Sequence, residues 1–276
     1  MIKNNKSNIK EDKLEKFFNS NEKNIKKMIE REWIFMRKSL HLIIFLCLIV
    51  SLSGCGNKTN QAPSSTNDDT DLTSLTSVEE LEEYINKDVE NSLKKLETER
   101  DELATEVNSY EQYVANIDKV KSFYADSIEE TNQLGIRLRE YSLIYAQLVL
   151  DSEDGYYDKY DDLKGIYDCI YEDAGKDMYD IYDDILKEMY DIYYDGVLKD
   201  AYDLFPYDEW SNIHSEEYDL WSDTRSDVYD IWSDARSDIY DFGSDIRSEV
   251  YDQDEERIQK KLEEFGEDIE KLKNDR

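Results

Sequence analysis

Apolar residues recur along this chain at three- and four-residue spacings, the period of a helix with one buried stripe. After Ser77 the stripe runs Leu81, Ile85, Val89, Ser92, Leu96, Leu103, Val107, Tyr110, Val114, Ile117, Tyr124 and Ile128, with an interruption near Glu99. Ser77 followed by Val-Glu-Glu puts an N-cap hydroxyl and first-turn carboxylates where a helix starts. The spacing predicts one long, coiled-coil-like helix over 78–150, bent at Gly135, with the first turn at "DSEDG", 151–155. Residues 151–206 read as a Tyr/Asp-rich helical segment with the looser repeats "MYDIYDDILKE" and "MYDIYYDGVLK", ended by Pro206. A last helix is expected over 207–276, about 100 Å long if unbroken. Its tail carries Glu-to-Lys pairs such as Glu256 with Lys260, which suit a solvated face.

Within that last segment, "WSDTRSDVYDIWSDARSDIYDFGSDIRSEVYDQ", 221–253, is three copies of one 11-residue phrase. Eleven residues make three turns at about 3.67 residues each, so the stripe stays nearly straight or drifts slightly right-handed. Projected around the helix, Ile231, Thr224, Val228 and Trp221 form an apolar sector, about a third of the circle, which needs a partner. One flank places Trp221, Arg225 and Tyr229, then Trp232, Arg236 and Tyr240, at four-residue steps that allow cation–π stacking. Trp210, Arg247 and Tyr251 belong to the same series, and all nine are interface candidates. The other flank is a carboxylate ladder, Asp223, Asp227, Asp230, Asp234, Asp238, Asp241, Asp245, Glu249 and Asp252. Its like charges at i,i+4 cost about 0.2–0.5 kcal/mol a pair and call for compensation. Two copies of the helix side by side in parallel would set Asp against Arg and Tyr, so a parallel homo-oligomer through 210–253 is expected. An intramolecular bundle with the Tyr-rich middle segment satisfies the same stripe.

Composition narrows the functional classes. Two Pro and nine Gly leave few turns, and 37% charged with 39% hydrophobic residues suits solvent-exposed helices, so the fold class is all-α: an elongated coiled coil or helical bundle. A formal charge of −33 disfavours nucleic acid and favours cations or basic surfaces. His214 occupies the slot held by Arg225, Arg236 and Arg247, and Cys169 lies on a Tyr-Ile stripe without a neighbouring His or Lys, so both read as structural. No GxGxxG, phosphate-binding loop, CxxC or HExxH occurs, and no carboxylate pair stands out as acid and base. The acidic ladder reads as solvated, since calcium usually draws on backbone carbonyls that a regular helix does not offer. Catalytic, cofactor and metal residues are therefore all expected to be absent.

The segment "MRKSLHLIIFLCLIVSLSGCGN", 36–57, has a basic start, an apolar run from Leu40 to Leu52, and small residues before Cys55. It resembles a bacterial lipoprotein signal peptide, with Leu52, Ser53, Gly54 and Cys55 in the four lipobox positions. The resemblance implies that the Cys55 thiol receives a diacylglycerol, that cleavage precedes it, and that palmitate-type acylation of the new N-terminus completes the anchor. An apolar run this short falls below the roughly 20 residues a spanning helix needs. The leader, 1–35, departs from the family, and Met36 is the expected start of translation. Residues 55–276 keep 23 Lys/Arg against 61 Asp/Glu, a formal charge of −38. Between Cys55 and Ser77 the chain is polar and small-residue-rich, a flexible tether with a coil dimension of roughly 25 Å.

The sequence thus leads to an acidic, non-enzymatic, lipid-anchored protein on the extracytoplasmic face of a bacterial membrane, acting as a helical stalk or interaction scaffold. Its 11-residue repeats resemble those of 11-residue-repeat coiled-coil proteins, and also of lipid-binding and desiccation-related helices. Those typically carry Lys at the apolar boundary, where this chain has Arg and Tyr on one side and Asp on the other. The alternative is a module that binds a cell-wall polymer, a carbohydrate or a basic protein through its Tyr/Trp/Asp-rich faces. The only non-protein group expected is the lipid on Cys55.

Overall fold

Helix follows helix through the computed structural model, which describes Leu72 and residues 75–274. The leader 1–35, the signal-like segment 36–54, Cys55 and nearly all of the tether 55–77 lie outside the described residues. Helix α1 is Val78–Glu106, α2 Tyr110–Ala115, α3 Ile117–Asp151, α4 Tyr156–Asp162, α5 Gly175–Asp180, α6 Leu186–Ile192, α7 Tyr207–Asp252 and α8 Glu255–Asn274. Between α4 and α7, π-helical stretches at Ile166–Ala174, Ile181–Ile185 and Tyr193–Leu198 alternate with α5 and α6. No strand occurs among the described residues, and no described helix is long and apolar enough to cross a membrane.

Ser77 caps α1 as its sequence implies: its hydroxyl accepts from the Glu80 N–H at 3.3 Å, while the Glu80 carboxylate accepts from Thr76. The helix expected over 78–150 is, however, two helices that double back. Val107 leaves helical geometry, and Ser109 caps α2 by accepting from the Gln112 N–H at 3.4 Å. The Gln112 side chain in turn accepts from the Asn108 N–H at 3.0 Å, which completes a second capping box. The chain reversal lets the apolar stripes of α1 and α3 cover each other. Asp88 takes Arg137 and the Tyr141 hydroxyl, each at 2.8 Å, and Lys95 meets Glu130 at 2.7 Å, an antiparallel register. Gly135 lies within the unbroken α3, where an added Cβ would come 3.3 Å from that of Ala235 on α7.

The helix expected over 207–276 also divides. Gln253 takes a left-handed conformation (φ 57°), the Asp254 N–H reaches the Glu249 carbonyl, and the Gln253 N–H reaches that of Val250, both at 3.1 Å. This paired closure ends α7 after 46 residues, about 70 Å, and turns α8 back along it. Phe242 and Phe265 stack at 4.1 Å, Asp245 meets Lys261 at 2.6 Å, and Lys273 reaches Glu140 on α3. Four long segments therefore run alternately up and down (α1, α3, the 156–198 segment, α7), with α8 as a shorter fifth layer.

The π turns follow from the sequence pattern. From Leu163 to Ala201 the buried positions Leu163, Ile166, Ile170, Ala174, Met178, Ile181, Ile185, Met189, Tyr193, Leu198 and Ala201 make ten inward steps in 38 residues. That is 3.8 residues per turn, wider than the 3.6 of an α-helix. Turns closed by i→i+5 bonds supply the excess and keep every step facing the core.

Candidate functional site

Helix α7 and the π-containing segment lie antiparallel in a register that repeats every 11 residues. The indole N–H groups of Trp210, Trp221 and Trp232 donate to the carbonyls of Leu198, Leu186 and Gly175 at 2.5, 2.9 and 2.7 Å. Each acceptor sits where a π stretch ends. A change from i→i+5 to i→i+4 bonding disturbs the backbone ladder there, and the indole supplies a donor. The guanidiniums of Arg225, Arg236 and Arg247 lie 4.0, 3.9 and 4.3 Å from the ring centroids of Tyr182, Tyr171 and Tyr160. In the fourth slot of that series His214 stacks between Trp210 and Tyr194, at 4.5 and 3.8 Å, and burial lowers its pKa. The stacking partners that the sequence left open between a second copy and the middle segment are thus supplied by the middle segment of the same chain.

The carboxylate flank finds cations on other helices. Asp238 pairs with Arg139 of α3 at 2.7 Å, and Asp245 with Lys261 of α8. Asp223, Asp227, Asp230 and Asp234, farther up the ladder, are exposed and form no ion pair among the described residues. A groove of about 470 Å³ opens between α7 and α8, lined by Arg139, Asp238, Asp245, Lys261, Phe242 and Phe265 among others. Its basic groups are paired with its own carboxylates. Among the described residues no group of three or more His, Cys, Asp and Glu is arranged to hold a metal. Burial, with Glu82 and Asp173 nearby, pushes the Cys169 thiol up to about 12, so it is not a thiolate near neutral pH.

Of the interface candidates, Trp210, Trp221, Trp232, Arg225, Arg236 and Arg247 are therefore engaged within the chain, while Tyr229, Tyr240 and Tyr251 stand half-exposed. Each leans one edge on the middle segment: Tyr229 on Tyr182 at 5.3 Å, Tyr240 on Tyr171 at 5.6 Å, Tyr251 on Tyr160 at 5.7 Å. Tyr218 and Tyr207 extend the row toward the N-terminus of α7, and Tyr218 meets Tyr194 at 5.5 Å. Sequence reading had stopped at Tyr229, although both earlier tyrosines fall on the same 11-residue count.

Glu217 was also missed. It sits in the slot that holds Val228, Ile239 and Val250 in later repeats and is as fully buried as they are. Its carboxylate accepts from the Tyr124 hydroxyl at 2.7 Å and from the Tyr113 hydroxyl, fastening α7 to α3 and α2. Burial pushes its pKa up to about 7 against the downward pull of the two phenols, and Glu216 adds to the rise. The Tyr193 ring packs 5.5 Å from that of Tyr113, and its buried hydroxyl has no hydrogen-bond partner. The signal was legible as one acid in an otherwise aliphatic column. No protein-family model, curated protein or solved structure matches this chain.

Proposed function

We propose that the chain is a non-enzymatic, lipid-anchored bacterial surface protein whose helical bundle is an interaction scaffold held off the membrane by the polar stretch 55–77. The observation that carries the scaffold reading is the locked register of α7 against the 156–198 segment. Its indoles and guanidiniums are used inward every 11 residues, and the tyrosines of each repeat are left outward. A device repeated every three turns lengthens a face and builds no pocket. Support for the anchor is the lipobox-like Leu52-Ser53-Gly54-Cys55, since two or three acyl chains hold where a single one is marginal. The alternative, a binding module, is favoured by the exposed tyrosine row; the tryptophans, with their N–H groups committed to backbone carbonyls, do not contribute to it.

The test is metabolic labelling with an alkynyl fatty acid followed by membrane fractionation. Wild-type chain is expected to take up label and sediment with membranes, and Cys55→Ser to lose both. A Cys55→Ser chain that still carries label in the membrane pellet would remove the anchor from this reading.

A further inference from the structure

We infer that the outer edge of α7 is a docking face for an extended, basic segment of a partner protein, bearing a Lys or Arg about every fifth residue. The face is a row of five tyrosines at 11-residue intervals, Tyr207, Tyr218, Tyr229, Tyr240 and Tyr251, exposed by 62, 44, 41, 50 and 62%. Monomeric proteins scatter exposed aromatics singly, and a periodic row of them on one rigid helix marks a contact surface. Each is followed directly by an exposed Asp: Asp208, Asp219, Asp230, Asp241 and Asp252. None of these five carboxylates forms an ion pair among the described residues, in contrast to Asp238 and Asp245.

Charge decides the class of partner. Residues 156–252 hold 29 Asp and Glu against 8 Lys and Arg, and three of the 8, Arg225, Arg236 and Arg247, are stacked on tyrosine rings. A tyrosine face beside an unpaired carboxylate accepts a cation twice, through the ring quadrupole and through the charge. The chain already makes the first half of this contact with its own arginines, at 3.9–4.3 Å from the middle-segment rings. A neutral sugar would use the rings and leave the carboxylates uncompensated; an anionic polymer would be repelled.

Geometry decides the spacing. Successive tyrosines are about 16 Å apart along the helix axis, the length of five residues of extended chain. The whole row spans about 66 Å, or about 20 such residues. Partner cations at five-residue intervals would therefore meet one Tyr-Asp unit each.

The inference rests on the scaffold reading only in needing this face uncovered, and lipid labelling at Cys55 tests the anchor separately. The experiment uses the full-length chain in non-ionic detergent and fluorescence anisotropy of labelled 21-residue peptides. One peptide carries Lys at positions 1, 6, 11, 16 and 21 in a Ser/Pro/Gly background; a second has the same five Lys in one block; a chitin hexasaccharide serves as the neutral glycan. The spaced peptide is expected to bind at least tenfold tighter than the blocked one. Its affinity should fall about tenfold when Tyr218, Tyr229, Tyr240 and Tyr251 are all changed to Ser, and persist when they are changed to Phe. Equal binding of the two peptides, an unchanged affinity in the Ser variant, or no binding would overturn the proposal. Tyrosine-dependent binding of the hexasaccharide without the peptide would overturn it in favour of a glycan surface.

Discussion

Removing the charge from Glu217 is expected to change how the stability of the bundle depends on pH. The carboxyl is fully buried, and its pKa rises from the ordinary 4.5 to about 7. The groups around it are the Tyr113, Tyr124 and Tyr193 phenols, all pushed upward by burial, and Glu216, which pairs with Lys121 at the surface. Because the folded chain holds this proton more tightly than the unfolded chain, the contribution is full below pH 4.5. It is lost as pH rises through 7 and is constant above that. A shift of that size corresponds to about 3 kcal/mol, roughly 6–12 °C in Tm for a unit of this length. Glu217→Gln keeps the shape and the hydrogen-bonding capacity but cannot ionise. Circular dichroism melts at pH 4.5, 6, 7 and 8 should therefore show the variant gaining on wild type by about 3 kcal/mol across that range, with the gain complete by pH 8. The chain's large acidic charge affects both proteins equally and cancels in the difference. Glu217→Val matches the aliphatic column but strands the Tyr113 and Tyr124 hydroxyls, so at pH 4.5 it should be less stable than wild type by about 1–3 kcal/mol. Parallel wild-type and Gln curves between pH 4.5 and 8 would refute the reasoning.

Two further outcomes test the register. Trp221→Phe and Trp232→Phe each remove an indole donor to a carbonyl at the end of a π stretch and should cost about 1–2 kcal/mol by urea denaturation. At about 16 Å apart their costs should add, and a double variant no less stable than either single one would argue against independent locks. Gly165→Ala would place a Cβ 1.7 Å from the hydroxyl of Tyr145, a ring only 4% exposed and unable to swing away. A loss of about 1–3 kcal/mol or more is expected, whereas Gly155→Ala, whose nearest neighbour is the Asp158 carboxylate at 3.8 Å, should leave Tm nearly unchanged.

Much of the secondary structure was written in the apolar stripe, and the two missed breaks show where such reading fails. Apolar residues continue across 107–110 at helical spacing, so the stripe alone runs straight through the reversal. The capping box Ser109-x-x-Gln112 was the local cue, and it outweighs continuity once α3 can fold back and cover α1. At the other end Gln253 adopts a conformation that glycine favours and nothing in its own identity announces. The closure holds because Phe265, Lys261 and Lys273 find Phe242, Asp245 and Glu140 only when α8 turns back.

The sequence by itself determined an all-helical, strongly acidic chain and a repeat with an apolar sector, a Trp-Arg-Tyr flank and a carboxylate flank. These are properties of one helix surface, set by residue spacing alone. Only the tertiary structure decided what each sector meets: the Tyr-rich middle segment on one flank, α3 and α8 on the lower part of the other, and the Tyr113 and Tyr124 phenols at Glu217. A stripe of given width can be covered equally well by a second copy or by another part of the same chain. The choice falls to the middle segment because its inward steps, widened by π turns to 3.8 residues each, keep a ring or a carbonyl opposite every Trp and Arg of α7.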